Sequence, residues 1–519
     1  MRSSRPLRTA HRSLPTNLML ELDGQRLSLA QIAAVAARRE TVSLSAAARA
    51  RAEKSRRVVE RIVAEGRTVY GVNTGFGRLS DVRIEPSELR ELQLNLVRSH
   101  ACGLGDPLSI EEARAMLLLR ANVLALGYSG CRPIVIEKLL AMLERGVTPV
   151  IPEKGSVGAS GDLAPLAHLA QTAIGEGEAY FDQLRMASAD ALRQAQIEPL
   201  QLEAKEGIAL LNGTQAMAAV GGLALHRAER VARLADVAGA MTLEALKGTP
   251  VAFDERIHAA RPHRGQTEVA AHLRELLSDS QIRESHVEND PRVQDAYSLR
   301  CMPQVHGTVR DALAHARDIV EIETGSATDN PLVFTATDEV LSGGNFHGAP
   351  LALAFDYAAM AQTDLMSITE RRIDRLVNPD ANESLPPFLT THAGSASGFM
   401  MLQIVAASLL NEAKVLAHPA SIDNVPTDGG KEDHVSMGMT GAIKLRAIVK
   451  LSELMTALEL IAAAQGLEYR APLQPGRGVK QARDLIRNYV SPLTIDRSMS
   501  REVENVAQVI RTGAFDALL

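Results

Sequence analysis

Residues Gly155-Ser156-Val157-Gly158-Ala159-Ser160-Gly161-Asp162-Leu163-Ala164-Pro165 break a long series of helical patterns with a run of small side chains. Ala159, Ser160 and Gly161 in a row permit a backbone path that larger residues forbid. One reading is a loop leading into a helix, with Ser160 or Asp162 as its N-cap. The other is that the backbone itself reacts. If the Gly161 nitrogen is pressed onto the Ala159 carbonyl carbon, a five-membered ring can close, and glycine suits that attack because no Cβ obstructs it. Loss of water, with the Ser160 hydroxyl leaving, then turns Ser160 into an exocyclic methylidene. The product is an electrophile built without any bound cofactor.

Other polar clusters fall at the ends of predicted helices, where side chains can converge on a site. They are Leu211-Asn212-Gly213-Thr214-Gln215, Gln294 to Arg300, Gly343-Gly344-Asn345-Phe346-His347 and Lys431-Glu432-Asp433-His434. Each also has an ordinary structural reading. Asn212 caps the next helix, Gln294 and Arg300 are solvated or paired, and Glu432-Asp433-His434 opens a helix whose dipole favours acidic groups. The glycine-rich Tyr70-Gly71-Val72-Asn73-Thr74-Gly75-Phe76-Gly77 reads as a flexible surface loop or as a lid. It lacks the Gly-Lys-Ser/Thr ending of a phosphate-binding loop. No His-Glu-x-x-His is present and the histidines lack ligand spacing, so no metal is expected.

These segments are held by a chain that is mostly helix. Ser45 is the expected cap of a helix to Ala64, with Val58, Val59, Ile62 and Val63 on one face and Gly66 as the stop. Pro86 opens a helix that runs into Arg98-Ser99-His100, and two more helices cover Ile110 to Leu126 and Pro133 to Glu144. Val147 to Pro152 is extended. Leu18 to Leu29 alternates around Asp23-Gly24 and predicts a small hairpin. Long helical patterns follow over Gly213 to Leu246, Gln304 to Ile322, His347 to Leu376, Ser397 to Leu416 and Val435 to Leu467, with a short hairpin at Leu332 to Leu341. Helices well beyond the usual ~11–12 residues imply a bundle of parallel rods. The fold class is therefore mainly α, a long-helix bundle core with a smaller mixed N-terminal part, and apolar Ala/Leu faces on the rods suggest burial against other subunits. The expected partition is a basic tail at 1–17, an N-terminal domain at 18–205 with the lid and electrophile loops, a central bundle at 206–470 and C-terminal helices at 471–519.

Composition narrows the function class. The 519 residues carry a net charge of -6, with 46% hydrophobic and 23% charged residues. That gives no case for nucleic acid, and the absence of Trp argues against a base-stacking surface. Cys102, Cys131 and Cys301 are widely separated, so neither a disulfide framework nor a zinc site is expected and a reducing cytoplasm fits. The longest uncharged stretch, Gly207 to Leu225, holds Asn212, Thr214, Gln215 and several glycines, and reads as a buried helix with its leading loop, not a membrane span.

Taken together, Tyr70 to Gly77, Ala159-Ser160-Gly161-Asp162, Asn212-Gly213-Thr214-Gln215, Tyr297-Ser298-Leu299-Arg300-Cys301, Ser342 to His347 and Glu432-Asp433-His434-Val435-Ser436 resemble the aromatic amino-acid ammonia-lyase family. The likeness runs in order from about Leu22 to the C-terminal helices. It implies a 4-methylidene-imidazol-5-one group formed autocatalytically from Ala159, Ser160 and Gly161, no metal, and an α-helical homotetramer whose active sites draw on more than one subunit.

Eliminating ammonia requires a better leaving group than a free amine, which an electrophile provides by capturing the α-amine. It also requires a strong base near the β-carbon. Tyr70 is the expected base, on a loop that would close over substrate; a free tyrosine has pKa ~10, so its surroundings must favour the phenolate. Arg300 matches the substrate carboxylate with its guanidinium fork. By resemblance, Tyr297 and Asn212 help build and hold the electrophile, Gln294 and Asn345 support the same shell, Phe346 packs near the ring, and Glu432 faces the amine or the distal side of the pocket.

Ser99-His100, Met400 and Glu432 resemble the histidine-lyase pattern, although some tyrosine lyases and tyrosine aminomutases also carry Ser-His there. Histidine lyases usually read Asn-Gln before Glu-Asp-His, whereas this chain reads Gly430-Lys431. Lys431 would repel a protonated imidazole, pair with Glu432, or point to solvent. The expected reaction is L-histidine to urocanate and ammonia. L-Tyrosine to 4-hydroxycinnamate is the alternative, followed by aminomutase chemistry and, remotely, a non-catalytic helical assembly protein.

Overall fold

A computed structural model describes residues 19–77, 82–288, 290 and 292–519, so the expected basic tail at 1–17 lies outside the described residues. The described residues fall into two compact units interleaved in sequence. One holds those of Met1–Ser156, Ser160–Ala219 and Glu323–Phe346; the other holds Val157–Ala159, Val220–Ile322 and His347–Leu519. This differs from a linear partition at 205/206 and 470/471. The chain leaves the first unit after Ser156, re-enters it between Ala159 and Ser160 within the Ala159-Ser160-Gly161 tripeptide, and returns to it once more at Glu323–Phe346.

In the first unit the helix Ile110–Ala125 is buried on all sides from Glu112 onward, and Ser109 with Glu112 closes a capping box at its start. Helix Pro133–Arg145 begins with proline and ends at Gly146 in the left-handed region, the common asymmetry of helix ends. Ser45 caps Ala46–Ala64, whose Val58, Val59 and Ile62 pack with Val72 and Val333 in one cluster. The hairpin Leu332–Phe334/Glu339–Leu341 forms as the sequence suggests. The hairpin expected over Leu18 to Leu29 does not. Strand Met19–Leu22 pairs in parallel with Thr41–Leu44, and Leu29–Ala36 between them is a helix with its own capping box. Gly24 explains the difference: a Cβ there would stand 2.8 Å from Leu126 Cδ2, so this glycine serves a close approach to the Ile110–Ala125 region and not a tight hairpin turn.

In the second unit the helix Ala349–Val377 runs along Gly438–Glu468; Met400–Leu416 packs on both, and Arg477–Arg487 and Ser500–Arg511 pack on Gly438–Glu468. Gly438–Glu468 is buried around almost its whole circumference, as expected of the central rod of a bundle. Close packing uses glycine where helices cross: a Cβ on Gly221 would meet the Phe355 ring at 2.1 Å. Charges inside the bundle are paired, with Arg372 and Glu459 both fully buried and bonded, and Asp236 bonded to His306 Nδ1 at 2.7 Å. Leu353, Tyr357, Met360, Met401, Ile404, Val405 and Val415 remain exposed on these rods in the single chain. Among the described residues, no helix is long and apolar enough to cross a membrane.

Candidate active site

The backbone on each side of the Ala159–Ser160 bond is held within its own unit. On the side of the second unit, the Gly158 carbonyl accepts from the Ser436 hydroxyl at 2.9 Å and from Gly348 N–H at 3.2 Å, and the Val157 carbonyl accepts from Met437 N–H at 2.8 Å. His347 lies stacked on His434, ring centroids 5.8 Å apart, and bonds the His434 carbonyl through Nε2. Two clusters recognised separately in the sequence thus meet at Gly158. The Glu432-Asp433-His434 segment does not start a helix, since the next helix begins at Gly438 after Met437 turns left-handed.

On the side of the first unit, Asn212 Nδ2 donates to the Ser160 carbonyl at 2.8 Å, and Asp162 N–H donates to the Gly213 carbonyl at 2.7 Å. Gly161 and Gly213 form a parallel bridge. Gly161 has φ +73°, and a Cβ on it would sit 2.2 Å from the Gly213 carbonyl oxygen. No side chain fits there, which is the freedom a nucleophilic backbone nitrogen needs. Asn212 is therefore committed to the tripeptide and does not cap the helix Gln215–Ala245. Buried small residues, a glycine nitrogen with nothing on its Cα, and a donor on the Ser160 carbonyl are the features a backbone condensation requires, so the residues fit the implied methylidene-imidazolone.

Asp162 holds the N-cap position of helix Leu163–Ala173 but makes no side-chain cap. Its carboxylate instead accepts from Ser156 Oγ and from Met217 N–H, each at 2.8 Å. Complete burial pushes its pKa up to about 6 despite those bonds. Glu323, bonded by the Thr214 hydroxyl at 2.6 Å, is likewise raised by burial.

The remaining candidates stand on separate segments. Tyr70 is half-buried on a braced loop: Val69 N–H donates to Asn73 Oδ1 at 2.9 Å, Asn73 Nδ2 donates to the Arg67 carbonyl at 2.8 Å, and Gly71 has Pro331 too close for any Cβ. The Phe76 ring meets Tyr70 edge-on at 6.4 Å. Residues 71–75 are buried, so this part is not a flexible surface loop. Ser99 and His100 end the helix Leu89–His100, and His100 Nδ1 bonds the Leu96 carbonyl at 2.8 Å. A carbonyl only accepts, so Nδ1 carries the proton. Asn345 is exposed, with Nδ2 on the Ala327 carbonyl at 3.1 Å, and Phe346 follows it half-buried.

In the second unit the Arg300 guanidinium stacks over the Tyr297 ring at 4.6 Å. Arg300 Nε is buried without a hydrogen-bond partner, and Tyr297 is 70% exposed in the single chain. Gln294 is exposed nearby in sequence. Glu432 accepts from Thr427 Oγ1 at 2.6 Å, while Lys431 and Met400 are exposed.

Sequence reasoning quoted Ser436 within a motif without giving it a role, and missed Thr427 and Arg120. Arg120 is fully buried and bonds the Asn212 carbonyl at 2.9 Å. Its signal was available: it is a lone cation in the run Met116 to Ala125.

Most of the chain matches known proteins. The family model for aromatic amino acid lyases covers residues 27–488. A histidine ammonia-lyase of Myxococcus xanthus is 54% identical over 95% of this chain and 96% of its own length. One from Anaeromyxobacter dehalogenans is 53% identical over 96% of this chain and 99% of its own. Among solved structures, histidine ammonia-lyase from Trypanosoma cruzi superimposes with a TM-score of 0.90 at 42% identity, over 96% of this chain and 95% of that one. Tyrosine aminomutase from Streptomyces globisporus gives 0.92 at 38% identity, over 96% and 98%. With the family pattern spanning the electrophile tripeptide and the segments that hold it, the chain belongs to the aromatic amino acid lyase family.

Proposed function

We propose that this protein is a histidine ammonia-lyase that converts L-histidine to urocanate and ammonia. The observation that carries the reading is 54% identity, across 95% of the chain, to a protein of that name. The methylidene-imidazolone formed from Ala159, Ser160 and Gly161 supplies an electrophile that makes the substrate's amine able to leave. Asn212 holds the Ser160 carbonyl, and Tyr297 orients the amine. Arg300 binds the substrate carboxylate with a planar fork, and its stacking on Tyr297 keeps that fork in one plane. Tyr70 removes the β-proton, and its braced loop supplies a fixed position for the phenolic oxygen. His100 has its Nδ1 proton committed to the Leu96 carbonyl, so Nε2 is the nitrogen that would accept a hydrogen bond from an imidazole N–H of the substrate. Glu432 contributes negative charge on the distal side, with Gln294, Asn345, Phe346 and Met400 completing the pocket. Lys431, exposed in the chain, points to solvent in this reading. The apolar residues left exposed on the long rods support a homotetramer with shared active sites, and the enzyme is cytoplasmic.

The test is direct. Purified protein is incubated with L-histidine and L-tyrosine separately, and the ultraviolet absorbance of the conjugated product is followed. Signal with histidine alone is expected; signal with tyrosine alone would replace the assignment with a tyrosine lyase, and a β-amino acid product would indicate an aminomutase. The mass of the peptide containing Ser160 is expected to lack two waters, and Ser160→Ala should retain both waters and lose nearly all activity. An unmodified wild-type peptide would leave only a non-catalytic helical protein.

A further inference from the structure

Arg120 is 0% exposed, among Leu117, Leu118, Leu119 and Ala121 of a helix buried on all sides. Among the described residues no carboxylate ion-pairs with it; Asp329, whose charge reaches it, is paired with Lys205 at 3.4 Å. Burying a cation without a bonded counter-ion is unfavourable unless other groups solvate it. Its compensation is a set of neutral acceptors: Nη1 donates to the Asn212 carbonyl at 2.9 Å and to Gln215 Oε1 at 2.6 Å, and Nη2 donates to the Ala209 carbonyl. Nε has no partner. The acceptors lie at the C-terminal end of helix Glu206–Leu211 and just beyond it, where the helix dipole favours a cation.

Those same residues clamp the tripeptide. Asn212 donates to the Ser160 carbonyl, and the Gly213 carbonyl accepts from Asp162 N–H. Gly213 lies between Arg120 and Gly161 with room for a side chain on neither side. A Cβ on Gly213 would be 2.5 Å from Arg120 Nη1, and one on Gly161 would be 2.6 Å from the Gly213 carbonyl carbon. We propose that Arg120 is a positioning residue for ring closure at Ala159-Ser160-Gly161: its guanidinium holds Asn212 and Gly213 as the template on which Ser160 to Asp162 are laid. This rests on the electrophile reading above. In the step it serves, the Gly161 nitrogen bonds to the Ala159 carbonyl carbon. The Ala159 oxygen leaves as water with the protons of Gly161 N–H and Ser160 N–H. The Ser160 hydroxyl leaves as a second water with the Ser160 Cα proton. No oxidant or reductant is needed. Such a closure depends on near-contact geometry, and a misplacement of ~1 Å costs on the order of 100-fold.

The experiment uses full-length Arg120→Met and Arg120→Lys, with Gly221→Ala as a control for lost stability, since a Cβ there clashes with Phe355 and both residues lie in the second unit, away from Arg120 in sequence and in unit. The mass of the peptide containing Ser160 is followed with time after synthesis, in folded protein. Arg120→Met is expected to lose two waters at least ~10-fold more slowly than wild type, Arg120→Lys to be intermediate, and Gly221→Ala to match wild type. If Arg120→Met does not fold, Arg120→Lys decides. Folded Arg120 variants that dehydrate at the wild-type rate would overturn the assignment alone. So would an equal slowing in Gly221→Ala, which would make the effect one of stability. An unmodified wild-type peptide would overturn the electrophile reading and this assignment with it.

Discussion

Replacing Gly161 with alanine tests the central geometric claim. The new Cβ would be 2.2, 2.6 and 2.8 Å from the oxygen, carbon and nitrogen of Gly213. All three are backbone atoms, so no side-chain rotation relieves the contact. Gly213 cannot retreat either, because its own far side faces Arg120 Nη1 and Gln215 Oε1 within 2.5 Å of where a Cβ would be. Two costs add. A left-handed conformation, here φ +73°, costs an alanine about 1–2 kcal/mol, and forcing an atom into filled space costs roughly 1–3 kcal/mol. The sum is about 2–5 kcal/mol. Separation of the two segments would also weaken the Asp162–Gly213 and Asn212–Ser160 bonds, each worth about 1 kcal/mol. The matched control is Gly344→Ala, where nothing lies within 4 Å and φ is unstrained, and where a change within about 0.5 kcal/mol is expected. Urea unfolding of both variants, with the mass of the Ser160 peptide, makes the comparison. Gly161→Ala should unfold at clearly lower urea and keep its two waters. A Gly161→Ala protein as stable as Gly344→Ala and fully dehydrated would refute the argument.

Other perturbations have equally definite outcomes. Burial raises Glu244 to about 7 against its Ser280 and Gly476 donors, so below its unfolded value of 4.5 it contributes no pH dependence. Between 4.5 and about 7 the wild type should lose up to about 1.4 kcal/mol of stability per pH unit, about 3 in all. Glu244→Gln should remove that downward slope in unfolding midpoints between pH 4.5 and 8, and parallel profiles would contradict it. Tyr70→Phe should lower kcat by roughly 10²–10⁴-fold with KM little changed in steady-state assays, and normal turnover would remove Tyr70 as the base. Arg300→Lys should raise KM about 10-fold or more, since a point charge replaces a bidentate fork; an unchanged KM would place the substrate carboxylate elsewhere. Gly221→Ala gains about 1 kcal/mol of helix propensity yet should lower the melting midpoint, because its Cβ would overlap Phe355.

The sequence by itself determined what local chemistry encodes. Ser45, Ser109, Pro133 and Gly146 mark helix ends because a cap acts within one turn of its own residue. The long rods follow from apolar periodicity, and the six motif clusters declare the family because each residue type is readable in isolation. Tertiary structure decided what depends on distant segments meeting. Met19–Leu22 pairs in parallel, not as a hairpin, because Gly24 is used to approach Leu126. Asp162, a nominal cap, is turned onto Met217. Ser436, 278 residues from Gly158, holds that glycine's carbonyl, and Arg120 becomes meaningful only when Gly213 is seen standing between it and Gly161. No period or propensity in a linear chain records such meetings. They are set by which backbones can approach within van der Waals distance and by which buried polar groups must then find partners.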